Sequence, residues 1–279
     1  MTAWNKLGVI AGAGALPLQI AAACQANARA FHLIRLSGLS DEAMTPFPGD
    51  ECGIGEAGKI LEVLKREHCD AVVFAGNVRR PDFRSLKADA RGAMLLPKII
   101  AAASRGDGHI LDVLVNTVEE EGMTVIGVDE AVANLAAPAG AIGDYSPTIE
   151  QMADIKKAAQ LINVMGGFDV GQGAVVARGF VLAVEAAEGT DAMLSRCAEL
   201  PNNVSRGGVL VKRPKPDQEL RIDLPTIGVE TIQRASAAGL AGIAVEHRRT
   251  LVLDRDEAVS IANAAGLFIY GFSADEISG

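Results

Sequence analysis

The first half of the chain alternates short apolar runs with amphipathic stretches of helical length, and this alternation restricts the fold more than any other feature. "KLGVIAG", "FHLIRLSG", "DAVVFAGNV" and "MTVIGV" read as strands, and "LPLQIAAACQANA" and "GEAGKILEVLKREHC" read as helices between them. Further helical stretches separate the third strand from the fourth. Strands joined by helical crossovers run parallel, because each crossover returns the chain to the edge it left. The expected fold is α/β, with a Rossmann-like N-terminal domain built on a parallel sheet. Around 136–147, "AAPAGAIGDYSP" gathers loop-forming residues, and Thr148 reads as the cap of the long helix "IEQMADIKKAAQLINVMGG". A boundary here gives a first domain over 1–140 and a second α/β domain, with a mixed sheet, over 141–279.

With 279 residues, 49% of them apolar, the chain can bury two cores. A net charge of −9 and a pI near 5.0 argue against a nucleic-acid partner, since neutralising phosphates needs an excess of Lys and Arg. No apolar run reaches the roughly 18 uncharged residues of a membrane span. The opening "MTAWNKLGVIAGAG" reads as a first strand rather than a signal peptide, so the expectation is a cytoplasmic protein. Cys24, Cys52, Cys69 and Cys197 are scattered and read as reduced packing groups. His32, His68, His109 and His247 are equally dispersed, without the spacing of a zinc site.

In "GVIAGAGALP", Gly12 and Gly14 stand between strand and helix, where a dinucleotide fingerprint places its glycines. Pro17 occupies the place of the third glycine, and the second strand offers Arg35 instead of a ribose-binding acid. The turn is therefore either a tight connection or backbone that meets a phosphate at a helix N-terminus. "FAGNVRRPDF" follows the strand expected at the sheet centre, and Asn77, Arg79 and Arg80 there offer donors to phosphate or sugar oxygens. In "SRGDGHILDVLV", Asp107 and Gly108 lie beside Arg105 and His109 at a helix start. Asp107 caps that helix, or faces a cleft to handle a ribose or a metal-bound water. "EAAEGTDAML" brings Glu185, Glu188, Thr190 and Asp191 to a strand end and a helix start, and spacing does not separate magnesium ligands from ordinary first-turn acids.

The sharpest local signal is "VKRPKPDQELRIDLPTIG", where Lys212, Arg213 and Lys215 crowd together ahead of Asp223. Such cations are either solvated or face an anion, and a diphosphate suits them. Asp223, between Ile222 and Leu224, reads as a carboxylate on a short apolar strand that holds Mg²⁺ or orients a water. A charged surface hairpin is the alternative.

In their order, "GVIAGAGALP", "FAGNVRRPDF", "GDGHILDVLV", "GQGAVVARG", "EGTDAML" and "GGVLVKRPKPDQELRIDLPTIG" resemble the LpxI-type UDP-2,3-diacylglucosamine pyrophosphatases of lipid A biosynthesis over nearly the whole chain. The resemblance implies Mg²⁺-dependent hydrolysis of UDP-2,3-diacylglucosamine to UMP and 2,3-diacylglucosamine 1-phosphate, with the essential carboxylate at Asp223. The chain also lacks the G-N-H-D/E motif of the dinuclear enzymes that do this job elsewhere. On this footing Asp223 and Lys212 are the catalytic candidates, and Asp223 and Asp191 the metal ligands. Substrate contacts are expected from Gly12, Gly14, Asn77, Arg79, Arg80, Asp107, Gly108, Thr190 and Lys215. With the cationic turn and Asp223 expected in the second domain and the glycine turn in the first, the nucleotide end rests on glycine-rich backbone and water attacks the β phosphorus. Acyl chains imply peripheral contact with the cytoplasmic face of the inner membrane, and a homodimer is left open. The alternatives are a nicotinamide-dependent oxidoreductase and a non-catalytic nucleotide-sugar or lipid carrier.

Overall fold

A computed structural model describes residues 4–78, 81–83, 86–104, 106–201, 204, 206–216 and 218–277. Contacts divide the chain into two units, Met1–Ala133 with Arg221–Asp223, and Asn134–Leu220 with Leu224–Gly279.

The first unit contains β1 (Lys6–Ala11), α1 (Ala15–Ala26), β2 (Ala30–Leu36), β3 (Gly49–Cys52), α2 (Ala57–Arg66) and β4 (Ala71–Ala75). It continues through α3 (Ala90–Ala103), α4 (Asp107–Glu119), β5 (Thr124–Val125) and α5 (Val128–Ala131). The strands form one parallel sheet in the order β3-β2-β1-β4-β5. β1 and β4 are buried almost throughout, which is why they read as unbroken apolar runs rather than alternating ones. Ile10, Ile34, Leu64, Val72, Val115 and Val118 share the core on one face. The edge strand β3 was not expected from "GDEC", which has no apolar run. It is held by pairing with Leu33–Leu36, and Arg35 donates to the carbonyls of Phe47 (3.2 Å) and Gly49 (2.7 Å). All four cysteines are free and buried, and burial pushes the Cys69 thiol up to about 11.

The second unit contains β6 (Gly140–Ala141), α6 (Ile149–Gly166), β7 (Gly173–Ala177), β8 (Phe180–Val184), α7 (Gly189–Ala198), β9 (Val209–Lys212) and β10 (Thr226–Ile227). Then come α8 (Val229–Ala237), β11 (Gly242–Glu246), β12 (Leu251–Val252), α9 (Arg255–Ala264), β13 (Phe268–Phe272) and α10 (Ala274–Ile277). Its main sheet is mixed, in the order β6-β13-β11-β9-β7-β8, with β13, β11 and β9 parallel. β10 and β12 form a separate short parallel pair. Thr148 caps α6 in a reciprocal box with Gln151, as the sequence suggests. Alternate residues of each strand enter opposite cores, Val175, Leu210 and Ile243 in one, Ala174, Val211 and Ala244 in the other.

The division between units differs from the expected boundary at two places. It falls before Asn134, because Ala137 donates to the Thr250 carbonyl and Gly140–Ala141 pair with Gly271 and Tyr270. Arg221–Asp223, expected in the second domain, groups with the first unit. There Ile222 packs against the core containing Ile10 and Val118, and Arg221 pairs with Glu119 at 2.7 Å.

β11 ends in Glu246, 2% exposed, whose carboxylate lies 2.9 Å from Arg213 Nε and 2.9 Å from Arg249 Nη1. The Arg213 contact is an ion pair by distance without hydrogen-bond alignment. Glu246→Ala strips a buried guanidinium of its counter-charge and is expected to destabilise the protein by about 3 kcal/mol. Urea denaturation checks this, and an unmoved midpoint would show that the pair contributes nothing.

Candidate functional site

In the first unit the sheet order reverses direction between β1 and β4, the switch point where open α/β sheets take ligands beyond their carboxyl ends. Two loops meet there. Gly12 N–H donates to the Ala75 carbonyl at 2.8 Å, and Ala13 and Asn77 exchange backbone hydrogen bonds at 2.9 and 2.8 Å. A Cβ on Gly12 would lie 2.7 Å from the Asn77 carbonyl oxygen, so only glycine permits this approach. Gly14 then caps α1 at φ 96° with no side-chain hydrogen bond, and the first turn of α1 carries no acid. Its N–H groups are thus suited to an anion. Gly12, Gly14 and Asn77 are brought together here, with Pro17 buried in the first turn. Arg79, Arg80 and Arg105 lie outside the described residues. Gly106, not Asp107, is the N-cap of α4, which begins at Asp107, and Gly108 has open space beside its Cα.

Asp223 is half-buried and stands in coil before β10, not on a strand as expected, because pairing with β12 begins only at Thr226.

In the second unit the three cations of the turn part company. Lys212 and Arg213 are consecutive, so an extended backbone sends them to opposite faces. Lys212 is buried at the end of β9, and its ammonium donates to the Thr226 carbonyl at 3.2 Å. Arg213 turns to Glu246, and Lys215 pairs with Asp169. The expected cluster of three cations facing one anion is therefore not formed. Thr190 and Asp191 lie in the first turn of α7, with Asp191 exposed and 3.6 Å from Arg234 Nε. Glu188 is taken by Arg196, while Glu185 tucks its carboxylate against Gly173.

A third arrangement has no local signal in the sequence. His32, Asp50 and Glu67 place ligand atoms within 4.8 Å of one another. The ring of His32 lies 2.8 Å from Asp50 and 3.6 Å from Glu67, Lys6 contacts Glu67 at 2.9 Å, and Arg66 contacts Asp50 at 2.7 Å. With these cations already in place, the group reads as a charge network that ties β1, β2, β3 and the end of α2 together.

Comparison with known proteins divides the chain at nearly the same place, with Arg221–Asp223 inside the second span. Residues 6–135 match the LpxI N-terminal domain family and residues 138–270 the LpxI C-terminal domain family. UDP-2,3-diacylglucosamine pyrophosphatase LpxI of Caulobacter vibrioides is 50% identical over 277 residues, 98% of this chain and 99% of that protein. Among solved structures, CobK precorrin-6A reductase is 11% identical with a TM-score of 0.33, over 96% of this chain and 87% of that one, too remote to carry anything over.

The His32 hydrogen bond, with Arg66 adding to it, holds the Asp50 carboxyl below its ordinary value, and the Lys6 hydrogen bond does the same for Glu67. Carboxyls lowered in the folded state stabilise it above their unfolded pKa of about 4, and that stability is lost as pH falls through the folded values. Asp50→Asn is expected to flatten the decline of the melting temperature below about pH 4. Parallel curves for variant and parent would remove the network from the acid response.

Proposed function

The chain belongs to the LpxI family, and from that premise we propose that it works by Mg²⁺-assisted attack of water on the β phosphorus of its substrate. It is a hydrolase that cleaves the diphosphate of UDP-2,3-diacylglucosamine to UMP and 2,3-diacylglucosamine 1-phosphate in lipid A biosynthesis.

The observation that carries the mechanistic reading is the contrast among the three cations. Arg213 and Lys215 are matched by carboxylates, whereas Lys212 holds its ammonium against a neutral carbonyl. Its charge is thus available to a diphosphate, and more so as charge grows in the transition state. Asp223 is assigned to the water or to the metal. Carboxylate oxygens such as those of Asp223 and Asp191 suit a hard cation in kind, and bound Mg²⁺ would polarise phosphoryl oxygens and acidify water. The switch-point backbone at Gly12, Gly14 and Asn77 supports a role in holding phosphate or nucleotide.

Two observations weigh against a nicotinamide enzyme: Pro17 fills the first turn of α1, and Arg35 is committed to the Phe47 and Gly49 carbonyls. A non-catalytic carrier would release no UMP. Peripheral contact at the cytoplasmic face of the inner membrane, and a homodimer, are further parts of the proposal. They are supported by the exposed apolar side chains of Val164, Phe168, Phe180 and Val181.

Asp223→Ala is expected to keep its fold and lose at least about a hundredfold in rate, the scale of a missing base or metal ligand. Near-normal UMP release from UDP-2,3-diacylglucosamine with Mg²⁺ would end that assignment. Because Asp223 groups with the first unit, domain placement no longer identifies the attacked phosphorus. Hydrolysis in ¹⁸O-water does: label is expected in 2,3-diacylglucosamine 1-phosphate, and label in UMP would mean attack at the α phosphorus.

A further inference from the structure

Lys212 and Glu185 occupy one row of the second unit's sheet with a glycine between them. Gly173 pairs directly with Lys212, and Glu185, next to the Val184–Ala174 pair, donates its N–H to the Gly173 carbonyl at 2.8 Å. Residues opposite one another across a sheet share a face. Two residues away along each strand, Ala183, Val175 and Leu210 all enter the same core with Met193 of α7. The side chains of Glu185 and Lys212 therefore leave the same face, two strand spacings or about 10 Å apart at their backbones. A Cβ on Gly173 would lie 2.5 Å from Glu185 Oε2, so the glycine's missing side chain is the seat of the carboxylate.

Both charged groups are incomplete. Among the described residues, Glu185 Oε2 is buried and has no hydrogen-bond partner. Lys212 is 6% exposed, and among the described residues its ammonium makes one hydrogen bond, to Thr226. Leaving a buried acceptor and a buried ammonium short of partners is costly for each, and each holds what the other lacks. The neighbouring charges are engaged elsewhere: Glu188 with Arg196, Arg213 with Glu246, and Lys215 with Asp169.

We propose that Glu185 is a positioning residue for the hydrolysis, acting through Lys212. Its carboxylate, seated over Gly173, orients the Lys212 ammonium through one water, as that ammonium neutralises the diphosphate. This rests on the reading of Lys212 given above, and it gives the two glycines of "GQG" a purpose, since Gly171 is also pressed against the Glu185 backbone.

A double-mutant cycle on UDP-2,3-diacylglucosamine hydrolysis tests it. Glu185→Gln is expected to lower kcat roughly tenfold with little change in KM, and to have less than about a twofold effect when Lys212 is already Gln. Gly173→Ala drives the carboxylate from its seat while keeping both charges, and is expected to reproduce the loss in kcat even if Glu185→Gln fails to fold. Equal factors in both backgrounds, or unchanged turnover in Glu185→Gln or Gly173→Ala, would overturn the proposal. A loss in Lys212→Gln alone would sink only the role of Glu185, whereas no loss in Lys212→Gln would remove the reading of Lys212 and this inference with it.

Discussion

At Gly12 the chain has no room for a side chain, and the arrangement of the first unit's upper edge follows from that. The loop leaving β1 lies close enough to the end of β4 for the Ala13–Asn77 bridge to form beyond the regular ladder. Two loops that would otherwise move separately become one backbone surface, with Gly14 opening α1 beside it. Such a surface recognises an anion by N–H groups rather than by charge, which suits a chain whose net charge is −9.

The second unit handles charge by the opposite means. Its sheet separates adjacent cations by the alternation of the strand, giving Arg213 to a carboxylate deep in the structure while Lys212 emerges on the other core face. Gly173 provides space where a carboxylate can lie flat against backbone. Empty Cβ positions thus shape both units, in one to bring backbone together and in the other to admit a charge.

Much of the architecture could be read from the sequence. The parallel sheet, the Thr148 cap and the β7–β8 hairpin all carry local signals of period, capping or glycine placement. The edge strand β3 escaped because "GDEC" forms a strand only by pairing with β2. The sites were less accessible for a related reason. Lys212, Arg213 and Lys215 look like one cluster in a linear reading, but their partners Glu246 and Asp169 are remote in sequence, and burial decides which charge remains uncommitted. The His32–Asp50–Glu67 network had no local signal at all, being assembled from β2, β3 and the end of α2.

Residues 221–223 return to complete a core whose other members end at Val125. The first unit is therefore not a bead that finishes folding as soon as its own strands are made. On a ribosome adding about 5–20 residues per second, the place of Ile222 would stay unfilled for on the order of ten seconds while most of the second unit is synthesised. During that interval the core lacks Ile222 and Glu119 lacks Arg221. An excised N-terminal half would lack Ile222 and Arg221 permanently, so the nascent chain and any such truncated form share the same incomplete core.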